Sequence, residues 1–377
     1  MHIISPEISD YNAHNQDRVL LSIKEIDSVL KKKVDQNYTP SLQYLLFDRD
    51  RLIYKFQYGF ADLINQIKVS DHTTYNAYSV TKTFTALAVL QLVDQKLLNI
   101  EDPIRSHLPE FPYTPDITIR QVLTHSAGIP NPVPLNWIHL SEEHLSFDRN
   151  KFFNGIFIKN KRTKSPPDVK FSYSNLGYVL LGQLIEKVSG VTYEQYITDN
   201  ILKKLNLPSG NIGFLIDDTE MHSKGYQKRK TLLYFILGFF IDKSKYMAET
   251  EGIWRPFKTL YVNGTSYGGL IGTPTAFMRY LQELLKLDSA IITEVNRKKM
   301  FTENHSSKNK LTGMCLSWFR GQLHGRQYFA HAGGGGGYYC EIRIYPDLGL
   351  GSVIMFNRTG ISDERFLDKV DCYYIDK

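Results

Sequence analysis

Residues 316–357 read LSWFRGQLHGRQYFAHAGGGGGYYCEIRIYPDLGLGSVIMFN. Short runs rich in β-branched and aromatic residues are broken by His-Gly, by five successive glycines at 333–337 and by Pro-Asp, which is the pattern of strands joined by turns. The same pattern stands near the other end of the chain. SLQYLLFD (41–48) and RLIYKFQYGFAD (51–62) flank a short charged turn and predict a β-hairpin. Between these ends the text turns helical. TKTFTALAVLQLVDQK (81–96) is apolar on most sides and predicts a buried helix. Strands at both ends with helices between them predict an α/β (α+β) fold: an antiparallel sheet built from both chain ends, flanked by helices and interrupted by a mostly helical insertion. On this reading the sheet domain is residues 1–78 and 286–377, the helical domain is 79–285, and the active site lies in the cleft between them.

Two further helices frame the sheet. Val19, Leu20, Ile23, Ile26, Val29 and Leu30 form an amphipathic stripe over 17–34, and a short helix is expected at about 362–371. The apolar run LLYFILGFFI (232–241) reaches about half of the ~20 residues that a membrane span requires. Lys228, Arg229, Lys230, Lys243 and Lys245 flank it. The expected role of 231–241 is a lid over the substrate pocket, with a core helix and a weak interfacial membrane contact as the alternatives.

Composition excludes several classes of function. The chain has 377 residues, 42% hydrophobic and 22% charged, which is ordinary for a globular protein. A net charge of +6, with acidic residues scattered among the basic ones, gives no footprint for nucleic acid. Cys315, Cys340 and Cys372 are odd in number and lack metal-ligand spacing, so no disulfide framework, metal or cofactor is expected. The start MHIISPEISDYNAHNQ has no basic region followed by an apolar one. The expected compartment is the cytoplasm if that start is native, and the periplasm or the exterior if the chain is a mature fragment.

Three Ser-x-x-Lys copies occur, at Ser28–Lys31, Ser79–Lys82 and Ser307–Lys310. On a helix this spacing sets hydroxyl and ammonium one turn apart on one face. Ser28 and Ser307 lie in polar surroundings and read as surface residues. Ser79 opens the apolar central helix, where Lys82 is forced inward; a desolvated lysine loses pKa and can take a proton from a serine. The plain alternative makes Ser79 a helix N-cap. Tyr173-Ser174-Asn175 precedes another clear helix and offers a phenol as a proton shuttle, whereas Tyr261-Val262-Asn263 falls in a glycine-rich stretch read as loop. His331-Ala332-Gly333-Gly334 opens a strand whose glycines admit substrate against the backbone.

Together these boxes resemble the serine β-lactamase and penicillin-binding protein superfamily, in the branch of class C β-lactamases, DD-peptidases and family VIII carboxylesterases. The order fits, with separations of 94 and 158 residues between boxes, and ITIRQVLTHSAGIP (117–130) and YGGLIGTPTAFMRYLQELL (267–285) resemble further family segments. The resemblance implies that Ser79 is the nucleophile of an acyl-enzyme, that Lys82 tunes it and that Tyr173 shuttles protons. It further implies that Asn175 positions Lys82 and the acyl side of the substrate, that His331 occupies the third box, and that Gly333 and Gly334 border the substrate, with the N–H groups of Ser79 and Gly334 as the oxyanion hole. The implied partner is a small ester, amide or β-lactam. Ala332 departs from the family, which commonly places there a hydroxyl that helps hold a substrate carboxylate; carboxylesterase activity is therefore expected ahead of β-lactamase or D-amino-acid peptidase activity.

Two rivals stand beside this reading. Gly264-Thr265-Ser266-Tyr267-Gly268 matches the GxSxG elbow of α/β-hydrolases, but Gly269–Gly272 intervene before the next helix start, so Ser266 is read as a loop serine. A non-catalytic ligand-binding protein on the same fold is the alternative of another class.

Overall fold

The computed structural model describes residues 13–114, 116–359 and 365–375, with side chains from Ser22 onward. Strand β1 (Ser41–Asp48) pairs with β2 (Leu52–Asp62) as the expected hairpin, and β3 (Ile67–Lys68) extends its edge. From the other end come β4 (Phe319–Leu323), β5 (Arg326–Gly335), β6 (Tyr338–Tyr345) and β7 (Leu350–Phe356). All seven lie in one antiparallel sheet of order β4-β5-β6-β7-β1-β2-β3, and β7 joins the two ends by pairing Leu42 with Phe356 and Leu46 with Ser352. The α/β class and the sheet built from both ends are therefore as the sequence predicts.

Both sheet faces are covered. Leu45, Phe47, Ile342, Ile344, Val353 and Met355 face the main core, while Leu42, Tyr44, Leu46, Tyr339, Ile354 and Phe356 face a second one. Helix α1 (Ala13–Asp35) closes the second core with Ile26 and Leu30, from the stripe read in the sequence; Val19 and Leu20 lie outside the residues whose side chains are described. Phe366, Leu367 and Val370 join them beside a one-turn C-terminal helix, Asp368–Asp371, shorter than the expected 362–371, of which 362–364 lie outside the described residues.

Helix α2 (Thr81–Asp94) runs through the main core, and every residue from Thr81 to Leu92 is buried. That is the fate of a helix apolar all round. Helix α3 (Asn175–Ser189) packs on it, capped at its start by the Ser174 hydroxyl and ended by Gly190 in the left-handed region at φ 76°. Helix α4 (Leu232–Leu237), the one-turn helix α5 (Thr265–Gly268) and helix α6 (Pro274–Leu285) follow, the last lying on β7 and β1. No helix of the described residues is long and apolar enough to cross a membrane. Cys315 and Cys340 are buried thiols, and no disulfide forms among the described residues.

Candidate active site

The start of α2 meets the start of α3 beneath the end of β5 that runs past its pairing with β4. Ser79 occupies a 3-10 turn, Tyr78–Val80, that leads into α2, and the residue at the helix N-cap is Val80, with no side-chain cap bond. The N-cap reading of Ser79 therefore fails: its hydroxyl is held elsewhere. Ser79 Oγ lies 2.9 Å from Lys82 Nζ and 2.9 Å from Tyr173 OH. The two other Ser-x-x-Lys serines, Ser28 and Ser307, are exposed, as expected.

Lys82 is fully buried. Its ammonium donates to Ser79 Oγ and, at 2.7 Å, to the carbonyl of Tyr267, and it sits 5.0, 5.5 and 5.3 Å from the ring centres of Tyr173, Tyr178 and Tyr267. No carboxylate pairs with it among the described residues. Burial without a counter-charge drives its pKa well below the ordinary lysine value.

Tyr173 is positioned by a residue the sequence reading passed over. His125 lies in the 117–130 segment with its backbone at φ 54°; its carbonyl accepts the Ser172 N–H at 2.7 Å, its Nδ1 accepts the Ser174 N–H at 3.1 Å, and its ring lies 4.2 Å from that of Tyr173. The backbone on both sides of Tyr173 is thus tied to one imidazole residue. Burial, then the charge of Lys82, keeps that imidazole neutral.

Asn175 is brought to the same corner, but its partner differs from the one implied. Its backbone N–H and side-chain amide both donate to Asn131 Oδ1, while Lys82 is held by Ser79 and Tyr267. Asn175 Oδ1 is buried with no hydrogen-bond partner among the described residues, and Asn175 lines a 160 Å³ pocket that begins at Ser79. The rest of that pocket is mostly apolar: Leu135, Trp137 and Ile138 on one side, Leu233, Leu237 and Ile241 on another. Among the described residues no charged side chain borders it.

His331 is buried on β5, and its Nδ1 lies 2.5 Å from the carbonyl of Ser317. Desolvation, reinforced by the nearby Lys82 charge, pushes its pKa down to about 3, so the ring is neutral at pH 7 and Nδ1 carries the donated proton. Gly333 is required by close approach. A Cβ there would stand 2.2 Å from the Ala77 carbonyl oxygen and 2.6 Å from the Ser79 nitrogen, both backbone atoms. At Gly334, which is exposed, the nearest atom would be 3.5 Å away. A larger open cleft of 890 Å³ runs outward along β5 from Ser79, Tyr173 and His331, bordered by Phe171, Arg320 and Arg365.

Two decoys are corrected in their structure while keeping their exclusion. Ser266 is not in a loop: it is buried in α5, its carbonyl accepts from Thr85, and a Cβ on Gly182 of α3 would stand 2.5 Å from its Oγ. Its hydroxyl faces helix packing and neither cleft. Tyr261 and Val262 lie in a short strand, Leu260–Val262, and Asn263 bonds His139.

Comparison with known proteins gives a family and a fold. The Beta-lactamase family model matches residues 26–370. Protein flp of Staphylococcus aureus (strain MW2) is 31% identical over 193 residues, 49% of this chain but only 37% of that protein. Penicillin-binding protein 4* of Bacillus subtilis (strain 168) is 23% identical over 305 residues, 78% of this chain and 63% of its own length. Among solved structures, EstCE1, a hydrolase with promiscuous acyltransferase activity, superposes with a TM-score of 0.74 at 18% identity, covering 96% of this chain and 100% of that one. The octameric penicillin-binding protein homologue from Pyrococcus abyssi gives 0.73 at 23% identity, covering 90% and 74%. A D-amino acid amidase from Ochrobactrum anthropi SV3 gives 0.70 at 18% identity, covering 93% and 97%.

Proposed function

Since the chain belongs to the Beta-lactamase family, we propose that it is a serine hydrolase of carboxylesterase type that works through an acyl-enzyme on Ser79. The observation that carries this reading is a serine hydroxyl held at 2.9 Å by a fully desolvated lysine and at 2.9 Å by a tyrosine. A depressed lysine pKa favours the neutral amine, which takes the Ser79 proton as Oγ attacks the acyl carbon. The carbonyl oxygen becomes an oxyanion facing the N–H groups of Ser79 and Gly334. Tyr173 passes a proton to the leaving alkoxide, the alcohol departs, and water attacks the acyl-enzyme along the reverse relay to release the acid and restore Ser79.

The preference for esters rests on the third box and on the acyl pocket. A substrate carboxylate is held by charge-assisted bonds of about 1.5–3 kcal/mol each, yet His331 is neutral and Ala332 has no hydroxyl. The inner pocket is uncharged and suits an apolar acyl group. One observation favours a second reading, amide, β-lactam or D-amino-acid peptide hydrolysis: Asn175 Oδ1, buried without a hydrogen-bond partner among the described residues, offers an acceptor for a substrate N–H.

The test is a hydrolysis panel of p-nitrophenyl esters, nitrocefin and D-Ala-D-Ala peptides on wild type and Ser79→Ala, with intact mass after fluorophosphonate treatment. One adduct is expected, lost in Ser79→Ala and kept in Ser266→Ala; the reverse pattern, or no adduct, would refute the catalytic reading and leave a ligand-binding protein. A nitrocefin kcat/KM above that of p-nitrophenyl butyrate would replace the ester reading by the second.

A further inference from the structure

Residues 232–241 meet the substrate pocket on one side and solvent on the other. Leu237 and Ile241 turn inward, pack with Met247, Phe257 and Leu260, and wall the 160 Å³ pocket that begins at Ser79. The outer side is apolar too. Leu232, Phe235 and Phe239 are 75%, 64% and 74% exposed, with Ile236 and Phe240 beside them. Single exposed apolar residues are ordinary, but five within ten residues form a patch of the kind that marks an interaction site.

The surroundings of the patch indicate its partner. Between residues 228 and 245 stand five cations (Lys228, Arg229, Lys230, Lys243 and Lys245) against a single carboxylate, Asp242; Lys245 is paired with Glu143 at 2.6 Å, which leaves four cations to border the patch. The only polar side chain within the run, Tyr234, is already engaged: its hydroxyl accepts from Arg255 and its ring receives Lys243 at 4.0 Å. The apolar centre has no unused polar group and its border is basic, which matches an anionic lipid surface. The contact has to be interfacial, since no described helix is long and apolar enough to cross a membrane.

We propose that residues 231–241 are an interfacial cover: the outer face rests on an anionic lipid surface while the inner face walls the acyl pocket, so that esters carried at such a surface reach Ser79 preferentially. The substrate part rests on the hydrolase reading above. The surface part does not.

Flotation of the full chain with large unilamellar vesicles separates these parts. With 1:1 phosphatidylglycerol and phosphatidylcholine at low salt, wild type and Ser79→Ala should float equally, so that loss of hydrolysis cannot imitate loss of binding. Pure phosphatidylcholine should hold the protein at least ~10-fold less, and the triple variant Lys228→Ala, Arg229→Ala, Lys230→Ala should lose roughly five-fold for each cation that contacts the surface. Phe235→Ser with Phe239→Ser, both exposed and outside the pocket, should abolish flotation, keep the melting temperature, leave p-nitrophenyl acetate hydrolysis in free solution unchanged, and lose the gain that wild type shows on p-nitrophenyl octanoate presented in the anionic vesicles. Failure of wild type to float, or flotation of the Phe double variant like wild type, overturns the proposal. A concentration-dependent dimer in sedimentation velocity that the same double variant dissolves would assign the face to a second copy and overturn it equally.

Discussion

Two apolar helical runs in this molecule read alike and end differently. Helix α2, 81–94, is buried on every side, whereas 232–241, richer in aromatic residues, keeps its outer side in water. The difference lies in what surrounds them. α2 is enclosed by α3, α5 and the helices Tyr193–Asn200 and Glu294–Met300, and it holds Lys82 in a place where burial alone changes its chemistry. The second run makes only a small satellite cluster, and most of its side chains stay exposed, Phe235 and Phe239 meeting edge to face outside that cluster. Apolar composition thus predicts a need for cover; neighbours decide whether the fold supplies it.

The largest effect is expected from breaking the enclosed side of this comparison. Lys82→Ala removes the desolvated amine and Tyr173→Phe removes the phenol while keeping the ring packed on His125. Each should lower kcat on p-nitrophenyl butyrate by about 10²-fold or more, the usual range for acid–base groups. The same measurement across pH 6 to 9 tests the relay: near-full activity of Tyr173→Phe throughout would refute it. Wild-type kcat/KM should rise with pH through the depressed Lys82 pKa, because the working form is the unprotonated amine.

Where the site was legible in the sequence, a regular element carried the information. Ser79 and Lys82 are set one turn apart by spacing, and Tyr173 precedes a capped helix, but it is the family resemblance that sets the three together. What escaped reading was set by backbone. The Tyr267 carbonyl that receives Lys82 is present in every residue type and leaves no trace in composition. Ser266 reads as a loop residue in the sequence because a single turn, Thr265–Gly268, is too short to show periodicity. Asn175 was assigned to Lys82 by resemblance, yet its side chain is taken by Asn131, 44 residues away in sequence. The sheet was legible because its strands are separated by strong turn signals. Its edge lining the site was not, since only packing reveals that Gly333 lies against the backbone of Ser79.

That close approach gives the second expected effect. Gly333→Ala places a methyl against two backbone atoms that cannot move aside cheaply, so β5 and the turn that carries Ser79 must separate, at about 1–3 kcal/mol by analogy with overpacked cores. Melting temperature and kcat should fall together. Gly334→Ala, with 3.5 Å of room, should melt like wild type; equal losses in both variants would show that the tract is merely a flexible turn.

A third, more gradual effect follows from His331. Its pKa in the folded chain is near 3 against 6.5 for the free side chain, so between those values the unfolded chain binds a proton that the folded chain refuses. Stability therefore rises with pH through this window, and is lost as pH falls below 6.5. At pH 5 the loss is about 2 kcal/mol. His331→Gln should flatten the dependence of melting temperature on pH between 7 and 5; an unchanged slope would mean that His331 is already charged in the folded state.

The smallest effect, and the one that most sharpens the comparison of the two helices, is expected at Leu237. This residue is 6% exposed and touches the acyl pocket, but its cluster is a small one at the edge of the molecule, closed by a six-residue helix. In Leu237→Asp the carboxylate can reach water by a local shift of that helix, so the main core is untouched and the melting temperature should fall only slightly. The acyl pocket loses an apolar wall and gains a charge. For a long acyl chain each lost methylene contact is worth roughly 10-fold or more in specificity, so KM for p-nitrophenyl octanoate should rise by about that factor, while the acetate, too short to reach the wall, should keep its KM. A large loss of melting temperature with KM unchanged for both esters would instead place 232–241 with α2, as a core element whose exposed side has no bearing on the substrate.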